Sequence, residues 1–125
     1  MKTEIKTTGA PQAIGPYVQA VRSGNLVFLS GQIALDPASG TMIDGGVADQ
    51  TRRALENLEA VLVAAGSGPE KVLKTTVYLI DMSSFSEMNQ VYGEFFPGTP
   101  PARTTVAVAA LPRGGAVEID AIAEV

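Results

Sequence analysis

Arg103, Glu118 and Tyr17 lead the residues of this chain that could do chemistry. Arg103 is the first charged group of a stretch that is otherwise Thr, Val and Ala, and Pro100-Pro101 stiffen the approach to it. A guanidinium alone among small residues suits a two-point grip on a planar carboxylate. The plainer alternative is a strand-end arginine in a surface ion pair, worth little. Glu118 lies in Val117-Glu118-Ile119-Asp120-Ala121-Ile122-Ala123-Glu124, where a period of two puts Glu118, Asp120, Ile122 and Glu124 on one face. That pattern reads either as a solvated acidic face or as the placement of a proton carrier. Tyr17 follows Gly15-Pro16 at the expected start of a strand, where its phenol meets a ligand or packs half-buried. Ser30-Gly31-Gln32 closes an apolar run, and Gly31 would let a ligand reach a backbone N–H, unless it only makes a turn or bulge. Asn89, between Met88 and Gln90, is a solvent residue or an interface donor.

Composition narrows the chemistry. The 125 residues include no His and no Cys. The missing Cys excludes disulfides, thiolate nucleophiles and zinc-finger ligation, and the missing His excludes the imidazole base of triad chemistry and nearly every zinc site. No metal site is expected. Thirteen acidic against nine basic residues leave a net charge of −4, which argues against a sequence-independent grip on nucleic acid. The glycines at 40, 45 and 46 fit no phosphate-binding fingerprint, and Arg52-Arg53 with Glu56 and Glu59 read as a solvated helix face. The start Met1-Lys2-Thr3-Glu4-Ile5-Lys6 has no apolar h-region behind it, and no run approaches the roughly 18 apolar residues of a membrane helix. The expectation is a soluble cytoplasmic protein with no membrane partner, folded as one domain over residues 1–125.

The elements that must position these residues follow from periodicity. Residues 2–7 read as a weak strand, and 17–22 with 26–30 as a hairpin around Ser23-Gly24-Asn25. Leu55, Leu58, Leu62 and Ala65 make the apolar stripe of a helix with Asp49 as N-cap and Gly66 as its left-handed stop. Residues 72–80 read as a central strand. Ser84 with Glu87 makes a capping box before the stripe Phe85, Met88, Tyr92 and Phe95, and Pro97 ends that helix. Residues 103–111 and 117–125 are two further strands, with 112–115 as a possible hairpin loop. The fold class expected is α+β, a mixed sheet of about six strands with two helices on one face. Residues 103–111 are apolar or small on both sides, and two helices cannot cover both sheet faces, so a homo-oligomer with sheet-mediated contacts is expected.

Pro101-Ala102-Arg103-Thr104-Thr105-Val106, then Leu111 and Val117-Glu118-Ile119, resembles the C-terminal signature of the Rid (YjgF-type) reactive intermediate deaminases. Ala13-Ile14-Gly15-Pro16-Tyr17-Val18-Gln19, Ser30-Gly31-Gln32-Ile33 and Lys74-Thr75-Thr76-Val77-Tyr78 match family motifs in the same order, so the likeness spans nearly the whole chain. The resemblance implies a chorismate-mutase-like α+β subunit, a homotrimer with ligand clefts between subunits, and no cofactor. It implies hydrolysis of 2-imino acids, such as 2-iminopropionate and 2-iminobutyrate, to 2-oxo acids and ammonia. Arg103 would then hold the substrate carboxylate, and backbone groups of Thr105 and Gly31 would orient the imine and water. Glu118 would assist proton transfer, while Tyr17, Ser30 and Asn89 shape the cleft. Many members carry Cys where this chain has Thr105. The second function class is a trimeric module that binds 2-oxo acids or other small carboxylates without useful turnover. RNA cleavage, attached to some relatives, is disfavoured here by the negative charge and the missing His.

Overall fold

The computed structural model describes residues 1–125. Alternating and apolar runs form six strands: β1 (Lys2–Ile5), β2 (Ala20–Ser23), β3 (Leu26–Gln32), β4 (Val72–Leu79), β5 (Ala102–Ala107) and β6 (Val117–Glu124). Two longer helices, α1 (Val47–Ala64) and α2 (Phe85–Phe95), separate them. The strands join into one sheet in the order β1-β2-β3-β6-β4-β5, antiparallel throughout except for the parallel pair β4/β5. This is the mixed α+β sheet with two helices that the sequence pattern implies.

The core lies between the helices and one sheet face. Leu55, Leu58, Val61 and Leu62 of α1 and Met88 and Tyr92 of α2 pack toward Val27, Val77, Leu79, Val117 and Ile119. Burying each such leucine contributes about 2 kcal/mol. Strand alternation then sends Phe28, Lys74, Thr76, Tyr78, Glu118, Asp120 and Ile122 to the opposite face, which no helix covers. Phe28, Ile80 and Val106 remain 41%, 46% and 38% exposed, the apolar surplus expected from sequence.

Four local expectations are corrected. The strands β5 and β6 do not form a hairpin: β6 inserts between β3 and β4, and β5 lies outside β4. A parallel pair needs a crossover, and α2 supplies it, so the chain from 108 to 116 must travel back across the sheet. The turn at Pro112–Gly114 is a short 3-10 segment. The strand β2 starts at Ala20, not Tyr17, because its partner β1 ends at Ile5 opposite Ala20, and the Gln19 side chain holds the chain that leaves β1. Its Oε1 accepts from Thr7 N–H at 2.7 Å, and its Nε2 donates to the carbonyls of Thr7 and Pro11 at 3.0 and 2.8 Å.

Helix α1 begins two residues before Asp49, with Gly46 as N-cap and no side-chain cap, since Val47 and Ala48 already pack on the core. Asp49 sits in the first turn, where its charge still favours the helix N-terminus. The expected capping box is absent as well. Ser84 has helical dihedrals and closes a 3-10 turn over Met82–Ser84, so Asp81 is the cap and accepts from Ser83 N–H at 2.9 Å. Gly66 does stop α1. Its φ is +83°, and Ser67 N–H reaches Leu62 O at 2.8 Å while Gly66 N–H reaches Val63 O at 3.0 Å.

Candidate functional site

A cleft of about 530 Å³ opens where β3 loses register with β6 between Leu29 and Gln32. Tyr17, Ser30, Gly31, Arg113 and Glu118 line it. Gly31 lies in the irregular stretch, and the Glu118 carboxyl rests against its Cα. A Cβ at residue 31 would stand 2.9 Å from Glu118 Cδ and 3.0 Å from Cγ. The glycine is therefore the seat of that carboxyl, and close approach is what the position requires.

Neighbouring bonds fix the walls. Ser30 Oγ donates to Val18 O at 2.6 Å and Ser30 N–H donates to Gln19 O at 2.9 Å, so the hydroxyl is committed to holding the loop that carries Tyr17. Tyr17 is 53% exposed, and its hydroxyl accepts from Ile14 N–H at 3.3 Å. It belongs to that loop and not to a strand. Across the cleft Arg113 has φ +59°, the single non-glycine residue in the left-handed region, and its Nη2 donates to Gly40 O at 3.2 Å.

Glu118 is half-buried, and loss of hydration raises its pKa above the ordinary glutamate value; the nearby Asp120 charge pushes the same way. Asp120 in turn accepts from the Tyr78 hydroxyl at 3.0 Å and from Thr76 N–H at 3.2 Å. A carboxyl with these properties holds a proton nearer neutrality than a solvated glutamate does, which suits it to proton transfer.

Arg103 stands elsewhere. It pairs in register with the buried Thr75 of β4, whereas Glu118 pairs with Tyr78, so the two residues occupy opposite faces of the sheet. The Arg103 guanidinium lies on the helix side, 4.7 Å from the centroid of the Tyr92 ring and 5.5 Å from that of Phe85. It takes part in neither of the chain's two ion pairs, Arg52–Asp49 and Arg53–Glu56, so the surface-ion-pair alternative does not apply. Asn89 follows Phe85 by four residues and precedes Tyr92 by three, which puts it on the same side of α2. Thr105, two residues on from Arg103, faces the same way, and its buried Oγ1 has no partner within the chain.

The residues picked out from sequence thus form two groups. Tyr17, Ser30, Gly31 and Glu118 meet in the cleft; Arg103, Thr105 and Asn89 gather beside α2. One chain does not bring the groups together.

Several supporting residues escape a reading by pattern. Asn57 is fully buried on α1 and donates to the carbonyls of Ile33 and Leu35 at 3.1 and 2.9 Å, both residues of the cleft wall. Gln50 accepts from Ala116 N–H at 2.8 Å, just before β6. Their one signal was polarity on the apolar side of α1. No group of three or more acidic side chains is placed to hold a metal ion, and no helix is long and apolar enough to cross a membrane.

Known proteins share the sequence and the fold. Residues 7–125 match the family model described as endoribonuclease L-PSP. The mouse protein named 2-iminobutanoate/2-iminopropanoate deaminase is 51% identical over 119 residues, 95% of this chain and 88% of that one. A Yersinia pestis structure, described as a protein of unknown function of the conserved Rid family, superposes with a TM-score of 0.97 at 43% identity, covering 100% of both chains. The structure of E. coli TdcF with bound serine superposes at 0.94 and 44% identity, covering 98% of each.

Proposed function

The chain belongs to the endoribonuclease L-PSP family, that of the YjgF and Rid proteins, and from that premise we propose that it is a 2-iminoacid deaminase. The observation that carries this reading is the Glu118 carboxyl, seated on Gly31 in a cleft and drawn toward neutrality by burial. The deaminase name of the mouse relative supports the same reaction, and the serine held by E. coli TdcF supports a small carboxylate ligand.

In this reading Arg103 grips the substrate carboxylate through its N–H edges while its face rests on the aromatic rings. The backbone at Gly31 and Thr105 orients the C=N group and the attacking water. Water oxygen bonds to the imine carbon, and Glu118 takes the proton that water gives up. Glu118 passes that proton to nitrogen, giving a carbinolamine; it then takes the hydroxyl proton as C=O forms and delivers it to nitrogen as the C–N bond breaks, leaving a 2-oxo acid and ammonia. The imine is already electrophilic, so positioning does much of the work. Tyr17 and Asn89 border the substrate, and the chemistry calls for no cofactor.

Because Arg103 and Glu118 lie on opposite sheet faces, the reading requires an oligomer in which Arg103 of one copy faces the cleft of the next. A homotrimer, the assembly implied by the family resemblance, meets that requirement.

The test generates 2-iminobutyrate in situ with an amino-acid oxidase, traps surviving imine with semicarbazide and measures its loss. Wild type should speed the loss, Arg103→Ala should abolish the effect, and Arg103→Lys should lose most of it because one ammonium cannot make two parallel bonds. If wild type leaves imine loss unchanged while still binding 2-oxobutyrate, the chain is a binding module and the deaminase reading is wrong.

A further inference from the structure

We propose that Tyr92 is a positioning residue for Arg103: its ring, locked by the Thr75 hydroxyl and flanked by Phe85, is the shelf that fixes the guanidinium plane so that its N–H edges face outward. The inference rests on the reading of Arg103 as the carboxylate anchor.

Three separate features meet here. Arg103 lies over the Tyr92 ring at 4.7 Å and is 5.5 Å from Phe85, with no carboxylate of the chain in an ion pair to it. A guanidinium lying flat against such a ring would be held through its face, leaving its in-plane donors available for a planar anion. The ring cannot turn or slide freely. Tyr92 is 5% exposed, its hydroxyl lies 2.6 Å from Thr75 Oγ1 inside the core, and its ring meets Phe96 at 4.7 Å between centroids. Thr75 is also the residue paired with Arg103 across the β4/β5 ladder. One buried threonine therefore ties the strand that carries the cation to the helix that carries its platform.

An arginine side chain has several rotatable bonds, and ordering it at the moment of binding costs affinity. A platform that orders it beforehand removes that cost. The aromatic face should therefore matter to carboxylate binding only through Arg103.

The experiment is a chemical-shift titration with 2-oxobutyrate, which reads weak affinities and reports folding in the same spectra. It compares wild type, Tyr92→Leu and Tyr92→Phe, each with Arg103 and with Arg103→Ala. Tyr92→Leu should raise Kd about tenfold, toward the upper range of a desolvated cation–π contact, and Tyr92→Phe, which keeps the ring but loses the Thr75 lock, should raise it by a smaller factor of about three. In the Arg103→Ala background Tyr92→Leu should add nothing. A folded Tyr92→Leu protein that binds as wild type does, or an equal loss in both backgrounds, overturns the proposal. Should Tyr92→Leu not fold, Phe85→Leu takes its place. About a threefold loss that disappears with Arg103→Ala supports the platform, and an unchanged Kd overturns it. If Arg103→Ala itself binds as wild type does, the anchor reading fails first, and that result is distinct from a failure of the shelf alone.

Discussion

The Glu118 carboxyl titrates in a setting made by three residues that touch or flank it: Gly31 beneath, Asp120 beside it on β6, and Tyr78 across the ladder on β4. Burial is the larger cause of its raised pKa and the Asp120 charge the smaller. Arg113 and Tyr17 complete the ionisable groups lining the cleft. A base must be deprotonated to act, so kcat/KM should fall as pH drops through the Glu118 pKa, and that fall should come at higher pH than for a solvated glutamate. In Asp120→Asn the repulsion is gone and the acid limb should move to lower pH, still above the ordinary glutamate range because burial remains. A pH profile of imine hydrolysis for the two proteins checks this. An unmoved limb would mean that the substrate, not Glu118, carries the titration. The period-two pattern of residues 117–124 was enough to put Glu118 and Asp120 on one face. It could not show that the facing residue would be a glycine 87 positions earlier, since that contact depends on where β3 slips register.

At the scale of elements, the apolar stripes of α1 and α2 and the strand runs were legible because burial imposes periods of 3.6 and two on the sequence. The order of the strands was less so: residues 103–111 and 117–125 read as neighbours along the chain, yet β6 pairs with β3 and β4. What separates them is the crossover through α2, a long-range choice that turn residues do not record. Polar residues on the buried side of α1 were illegible for a similar reason, because their partners are backbone groups of distant segments. Asn57 shows what such a residue does. It satisfies the carbonyls of Ile33 and Leu35 and receives both Nε and Nη2 of Arg53, at 3.1 and 2.9 Å, so it fastens the cleft wall to the helix. Asn57→Ala leaves the Leu35 carbonyl without its donor and the Ile33 carbonyl with Leu35 N–H alone, and should cost about 2 kcal/mol. Urea unfolding at one fixed protein concentration would show this as a lower midpoint with an unchanged slope. A midpoint equal to wild type would mean that water replaces the amide at no loss.

At the scale of the whole molecule, the roles proposed for Arg103 and Glu118 place a requirement on assembly. Arg103 and its aromatic platform sit on the helix side of edge strand β5, whereas Glu118 of β6 faces the other way against Gly31 of β3, with β4 between β5 and β6. No side-chain rearrangement within one chain carries a guanidinium through a sheet. If both groups act on one substrate, the carboxylate grip and the proton carrier must come from different copies, joined head to tail so that a ring closes. The exposed Phe28, Ile80 and Val106 give the open sheet face the apolar surface that such a ring would bury. Arg103→Ala and Glu118→Ala should each be inactive alone. Unfolded together and refolded, they should regain about a quarter of wild-type activity, since in random mixing one junction in four pairs an intact arginine with an intact glutamate. Native mass spectrometry of the mixture confirms that mixed oligomers formed. Complementation of this kind has no explanation in which each chain works alone, because every chain in the mixture lacks one of the two groups. Mixed oligomers with no activity would mean that the two groups never share a substrate, and the roles assigned to Arg103 and Glu118 in one reaction would fall together.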